Sequence, residues 1–343
     1  MRFAHAGEAG LGALIGQNGP PECLEPAPGL GLSEGVHKGA PMANPPFSDR
    51  QGDAALALLC AEPFRVARPA RQSLPFVFAS PHSGRNYPDS LIEASRLDAL
   101  TLRRSEDAFV DELFARVTEL GAPLLSARFP RAYCDVNRAP GELDKDMFSG
   151  PLSVGVDSPT ARVAAGLGVI PRIVRDGADI YAAKLEPADA ATRLNHLYRP
   201  YHAALEELVA ETIALFGVAV VVDCHSMPSA LSVPDIVLGD RHGVSAPARM
   251  TSWAESAFVN AGFSVARNVP YAGGYTTIQY GLNVANCHAL QIEINRTLYL
   301  DEDSIQRRSN FESIKSRLGK ALANLVAIDL SHLRRPTLPQ AAE

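Results

Sequence analysis

One stretch limits the fold more than any other: Val218, Ala219, Val220, Val221 and Val222 run straight into Asp223, Cys224, His225 and Ser226. A β-branched run this short and this continuously apolar predicts a buried strand of a mostly parallel sheet. Its abrupt polar end matters as much, because ligands of open α/β sheets sit at the carboxyl ends of the strands. A second run, residues 76–80, ends the same way, on Pro81, His82, Ser83 and Gly84. A third, residues 289–295, carries Glu293 between Ile292 and Ile294. Strands alternating with amphipathic helices predict α/β layers, a mixed and largely parallel sheet flanked by helices.

Periodicity fills in the remainder. Residues 103–120 read as one helix, with Val110, Leu113, Phe114 and Val117 on its apolar stripe and Gly121 as its stop. Residues 122–128 and 132–136 read as strands, and 139–179 as a Pro- and Gly-punctuated excursion. A long helix is expected over 187–216, bent or split at Pro200. Beyond the central strand come a strand at 235–238, a helix at 246–261, a flexible Gly/Thr loop at 271–277 and a closing helix at 303–326. Residues 1–70 are dense in Gly and Pro without a sustained period and read as a disordered or loosely attached leader, with one or two helical turns at 54–59. That leaves a single α/β domain over 71–335 and a flexible tail over 336–343.

A chain of 343 residues is long enough for a large core. Its formal charge of -6 disfavours nucleic acid and anionic membrane as partners, both of which need a basic surface. No apolar run approaches the roughly 18 residues that span a bilayer. The five cysteines are scattered, with no CxxC pair, which fits a reducing compartment and a cytoplasmic location.

The chemistry gathers at the strand ends. His82 and His225 each follow an apolar strand and each neighbour a serine. Neutral imidazoles plus a carboxylate form a common zinc set with one position left for water. Either histidine alone could simply cap a strand; two at equivalent ends point to a metal. Glu106 and Asp107 both offer the carboxylate, and periodicity does not choose between them; the plainer role for either is to complement a helix dipole. Glu293 lies in an apolar strand, where an acid is costly unless paired or useful. It reads as a general base acting on metal-activated water, against an ion pair with Arg296 or another base. Arg138 offers a fork that matches a carboxylate, and Asn137 a directional donor beside it. Arg131 or Arg128 lies where it could polarise a scissile carbonyl. Cys224 alternates with His225 along its strand and should face the other side, as a core thiol. Residues 198–202 read as packing against the site. Gly273 and Gly274 either let backbone approach a ligand or mark a turn.

These motifs, taken in order, resemble those of a known family. Pro81-His82-Ser83-Gly84, Glu106-Asp107, Asp135-Val136-Asn137-Arg138, the Tyr198 to His202 segment, Asp223-Cys224-His225-Ser226, Gly273-Gly274-Tyr275-Thr276-Thr277 and Gln291-Ile292-Glu293 resemble the N-formylglutamate amidohydrolase family from about Leu74 to Tyr299. The resemblance implies a zinc-exopeptidase-like fold related to carboxypeptidases and aspartoacylase. It implies one Zn2+ per chain on His82, Asp107 and His225, with Glu293 as base and Arg131 polarising the carbonyl. It also implies Asn137 and Arg138 as the clamp for the substrate's α-carboxylate, with Gly273, Gly274 and Thr276 lining the substrate site. The reaction implied is hydrolysis of a small N-acyl amino acid such as N-formylglutamate to free amino acid and formate. One departure bears on the substrate: the family pattern continues with Thr-Arg and a second basic residue before Tyr-Gly, whereas Ile278 and Gln279 precede Tyr280 and Gly281 here. Two other readings stay open: a metal-free hydrolase with Ser83, Ser226 or Cys224 as nucleophile, and a non-catalytic binder of amino acids or peptide ends.

Overall fold

The computed structural model describes residues 53–174, 177–229, 233–330 and Leu333. Among them a seven-stranded sheet runs in the order β1-β3-β2-β4-β7-β5-β6. Its strands are β1 (Phe64–Ala67), β2 (Phe76–Ser80), β3 (Leu124–Ala127), β4 (Ala219–Met227), β5 (Ile236–Gly239), β6 (Val265–Arg267) and β7 (Cys287–Asn295). The four inner strands β3, β2, β4 and β7 are mutually parallel, while β1 and β5 pair antiparallel at either side. The mixed, mainly parallel sheet follows the expectation.

Burial explains why the central strand is so apolar. Every residue of β4 is buried, because helices cover both faces. Val220, Val222, Cys224, Leu290, Ile292 and Ile294 point into one core with Phe76, Phe78 and the Ala248–Asn260 and Phe311–Val326 helices. Val221, Ala219, Ala289, Val77 and Ala79 point into the other, against the Arg199–Phe216 helix. Each fully buried valine contributes on the order of 1.5–3 kcal/mol relative to exposure. A one-residue slip would exchange these faces and bring Asp223 and His225 into the first core.

Several expected elements differ. Residues 54–67 are not leader: Ala54–Ala61 is a helix capped by Asp53, and β1 supplies the sheet's edge. The leader expectation for residues 1–52, and that of a tail at 336–343, falls outside the described residues. The single helix over 103–120 is broken into Ala99–Arg103, Val110–Leu113 and Val117–Leu120. Its interruption has a tertiary cause: the Asp107 N–H donates to the His82 carbonyl at 2.9 Å, and Phe109 turns left-handed at φ 64°. The strand at 132–136 is instead a turn, in which the Tyr133 N–H reaches the Pro130 carbonyl and the Asp135 N–H the Val169 carbonyl. The helix at 303–326 begins only at Phe311. The helical run from Pro187 to Phe216 is divided next to Pro200, which occupies the first turn of the Arg199–Phe216 helix after a π-helical segment at Leu194–Tyr198. No helix among the described residues is long and apolar enough to cross a membrane.

Candidate active site

β2, β4 and β7 are neighbours and end at the same edge, so three distant segments of chain meet there. The alternation of a strand does the rest. Asp223 and His225 share one face of β4, and Gln291 and Glu293 share that face of β7; the register sets Asp223 beside Gln291 and His225 beside Glu293. His82 lies just past β2, and its ring centroid is 4.8 Å from that of His225. Asp107, in the break of the expected helix, joins them: one ligand atom from each of His82, Asp107 and His225 lies within 4.8 Å of the others.

The hydrogen bonds around these three groups decide which atoms are available. His82 Nε2–H donates to Asp135 Oδ1 at 2.7 Å, and His225 Nε2–H donates to Asp223 Oδ2 at 2.9 Å. An ionised carboxylate only accepts, so each ring carries a proton on Nε2 and turns Nδ1 inward, and His225, when doubly protonated, also donates from Nδ1 to Asp107. His82 Nδ1 is then buried with no hydrogen-bond partner, 3.4 Å from Asp107 Oδ2. His225 Nδ1 is 2.9 Å from the same oxygen. Histidines whose outer nitrogen is held by a carboxylate are the usual support of a metal centre. An inward-facing pair of imidazole nitrogens with a carboxylate oxygen suits a divalent cation, zinc among them.

Charge supports the same reading. Burial alone would raise the Asp107 carboxyl, but the hydrogen bond and charge of His225, with the His82 ring beside it, hold it well below its ordinary range. Burial would likewise lower His225, yet Asp223 and Asp107 push it well above that of a free imidazole. Asp135, buried as deeply, is held low by Arg131 and His82. Placing so many carboxylates out of water costs several kcal/mol each unless positive charge compensates them. A centre that grips a proton this firmly is one in which a cation and a proton compete for the same atoms.

Asp107 and Glu106 part company here. Glu106 accepts bidentately from Arg103, at 3.0 and 3.1 Å, and from the Tyr87 hydroxyl at 2.7 Å, which commits it to the wall. Asp107 Oδ1 accepts from Arg296 Nη2 at 3.0 Å and from Ser226 at 3.3 Å, leaving Oδ2 for the two histidines. Arg296 thus pairs with Asp107 and not with Glu293. Among the described residues Glu293 forms no ion pair; Gln291 Nε2 donates to its Oε1 at 2.8 Å. Burial raises the Glu293 carboxyl to about 7, against the pull of His225.

The other candidate residues divide into mouth and frame. Arg131 is partly exposed, donates to Asp135 Oδ2 at 2.9 Å and feels the charges of Asp107 and Glu293. Arg128, its alternative, pairs with Glu62 at the surface. Arg138 donates to the carbonyls of Leu167 and Asn137, with Asp135 3.9 Å away. Asn137 is fully committed: Nδ2 donates to Asp223 at 2.9 Å, and Oδ1 accepts from the Thr276 N–H at 2.8 Å. Gly274 needs to be glycine because a Cβ there would fall 2.5 Å from the Asn137 amide. Gly273 sits at φ 125°. The expected loop at 271–277 therefore ends early, and Tyr275–Asn283 is a helix whose first turn is tied to Asn137. Residues 198–202 pack as expected: Tyr198 donates to the Arg138 carbonyl, and burial lowers His202 to about 4, so its neutral ring donates to the Val136 carbonyl.

The nucleophile alternatives lack a partner geometry. Cys224 faces the opposite core, its thiol pushed well above the ordinary value by burial. Ser226 is bound between Arg296 and Asp107, and Ser83 accepts from Ser80. Sequence reasoning left Asp223 and Gln291 without a role and offered Arg296 only as an ion-pair partner for Glu293. The first two were legible as partners two residues before His225 and Glu293 on the same strand faces. Arg296, beyond the strand end, carried no such signal.

Comparisons with known proteins show which family this chain resembles. The family model of N-formylglutamate amidohydrolase matches residues 74–300. An N-formylglutamate deformylase of Pseudomonas aeruginosa is 27% identical over 269 residues, covering 75% of this chain and 94% of that one. Another, of Pseudomonas putida, is 26% identical over 238 residues, covering 67% and 83%. The crystal structure of N-formylglutamate amidohydrolase from Ralstonia eutropha JMP134 superposes with a TM-score of 0.71 at 36% identity, covering 77% of this chain and 96% of that one. With the matched segment taking in every residue of the strand-end cluster, the chain belongs to the N-formylglutamate amidohydrolase family.

Proposed function

We propose that the protein hydrolyses the amide bond of an N-acyl amino acid of the N-formylglutamate type, using a zinc ion held by His82, Asp107 and His225. The observation that carries this reading is the buried His82 Nδ1 without a hydrogen-bond partner, in a cluster whose ligand atoms lie within 4.8 Å of one another. The names of the Pseudomonas and Ralstonia relatives supply the substrate class. A bound divalent cation would act as a Lewis acid toward water and the acyl carbonyl.

The chain's own groups account for the remainder. Glu293, held near neutrality by burial, takes a proton from the attacking water and passes it to the leaving nitrogen. The C–N bond breaks, the acyl carbon leaves as a carboxylate such as formate, and the amino acid leaves as its amine. Arg131, at the mouth, stabilises negative charge developing on the carbonyl oxygen. Arg138 binds the amino acid's α-carboxylate with the donors that Leu167 and Asn137 leave free. Asn137, Gly273, Gly274 and Thr276 serve this site from behind, holding Asp223 and hence His225 in place.

The test is a steady-state assay of amine release from N-formyl-L-glutamate, with N-acetyl and N-succinyl amino acids alongside. Chelation abolishes turnover and added zinc restores it. Glu293→Gln lowers kcat by roughly 10²–10⁴-fold while zinc content stays at one per chain. Full activity in the chelated protein would refute the metal, and an active Glu293→Gln would remove the base.

A further inference from the structure

Glu293 is an acid whose position nothing charged secures. Among the described residues it has no ion pair, and its Oε2 accepts no hydrogen bond. Its one tether is Gln291, two residues earlier on β7 and on the same face. Both side chains are buried.

The orientation of the Gln291 amide is fixed by what lies on its other side. The Gly274 N–H donates to Gln291 Oε1 at 2.8 Å, so the amide oxygen faces Gly274 and the NH2 faces Glu293. A flipped amide would set two donors against each other at Gly274 and two acceptors at Glu293. Gly274 is itself immobile: Thr277 Oγ1 donates to its carbonyl at 2.7 Å, and the Asn137 amide fills the space beside its Cα. A rigid turn therefore aims a side-chain amide at one oxygen of the carboxylate.

We infer that Gln291 is a positioning residue for the reaction: it locks Glu293 in one conformer and leaves Oε2 as the oxygen that accepts the proton. The inference rests on Glu293 acting as base, as proposed above. It gives the Gly273–Gly274 turn a purpose that needs no contact with substrate. Through Asn137 the turn holds the Asp223–His225 pair, and through Gln291 it holds the base, so the spacing between ligand and base is set by a single structural unit.

The experiment is Gln291→Met, which keeps length and shape but removes the donor, assayed with N-formyl-L-glutamate and crystallised alongside the parent. Zinc affinity stays unchanged, the thermal midpoint falls by a few degrees because the Gly274 N–H loses its acceptor, KM stays within about twofold, and kcat falls by roughly 10–100-fold as the base loses its geometry. The variant's crystal structure shows Glu293 displaced or spread over more than one rotamer. Unchanged kcat, or Glu293 in the parent's conformer, overturns the inference. A loss of kcat that only follows a loss of zinc overturns it too. If Gln291→Met does not fold, Gln291→Asn, one methylene too short to reach Glu293, is read by the same criteria. A parent protein inactive on every N-acyl amino acid would defeat the proposed function instead, and the Glu293 conformer in the two crystals would still decide the role of Gln291.

Discussion

Asp223 and Asp135 do the same work for different histidines. Each accepts a hydrogen bond from the Nε2–H of its ring and so turns Nδ1 inward. Asp223→Asn should therefore cost metal more than fold. An amide can still bond to the ring, but it no longer enforces the tautomer or makes the imidazole a stronger donor. Zinc affinity, measured by competition with a chromophoric chelator, is expected to drop by roughly 10–100-fold. Unchanged affinity would detach Asp223 from the metal centre. Glu293 makes a second prediction at this scale. A protonated carboxyl cannot accept a proton, so the rate falls as pH drops through its pKa. Burial lifts that pKa from 4.5 to about 7, and the charge of a bound cation draws it back down. The acid limb of kcat/KM is expected between those two values, and a limb absent from that window would argue against Glu293 as base.

At the scale of elements, alternation along β4 separates chemistry from packing. Asp223 and His225 point to the site, while Cys224 between them points to the apolar core on the far face. Cys224→Ala should leave kcat/KM within about twofold and cost about 1 kcal/mol through a small cavity. Loss of activity beyond the loss of folded protein would revive a thiol nucleophile. The same alternation explains what was legible in advance. The buried parallel strands, the two histidines at their ends and the acid on β7 all follow from apolar runs that stop on polar residues. The break at 104–109 was not legible, because the helical spacing of Val110, Leu113, Phe114 and Val117 beyond it extrapolates back to residue 103 without a signal to stop. What interrupts the helix is tertiary: the backbone bond from Asp107 to His82 and the left-handed Phe109 bring the acid to the site. A one-residue shift of that segment would have presented Glu106, whose pairing with Arg103 and Tyr87 no periodicity reveals. The helix starting at Tyr275 was hidden for a similar reason. Gly273 and Gly274 look like loop residues until the Thr277 side chain beside the first and the Asn137 amide beside the second are seen to occupy the space their side chains would need.

For the molecule as a whole, topology is what turns ordinary strand ends into a site. His82, Asp107 and His225 come from three separate segments, and they meet only because β2 and β4 are adjacent and parallel. The strand order and the antiparallel pairing of β1 and β5 could not be deduced from composition or spacing, since both depend on which edges remain open once the central strands have paired. The carboxylates collected at this edge make the folded chain a trap for positive charge, and in the proposed enzyme that charge is zinc. Anomalous diffraction at the zinc edge, from crystals of the zinc-loaded protein, tests this claim most directly. One peak is expected among His82 Nδ1, Asp107 Oδ2 and His225 Nδ1, at roughly 2 Å from each. No peak there in zinc-loaded crystals, or a zinc bound elsewhere with these three side chains still bonded to one another, would contradict it.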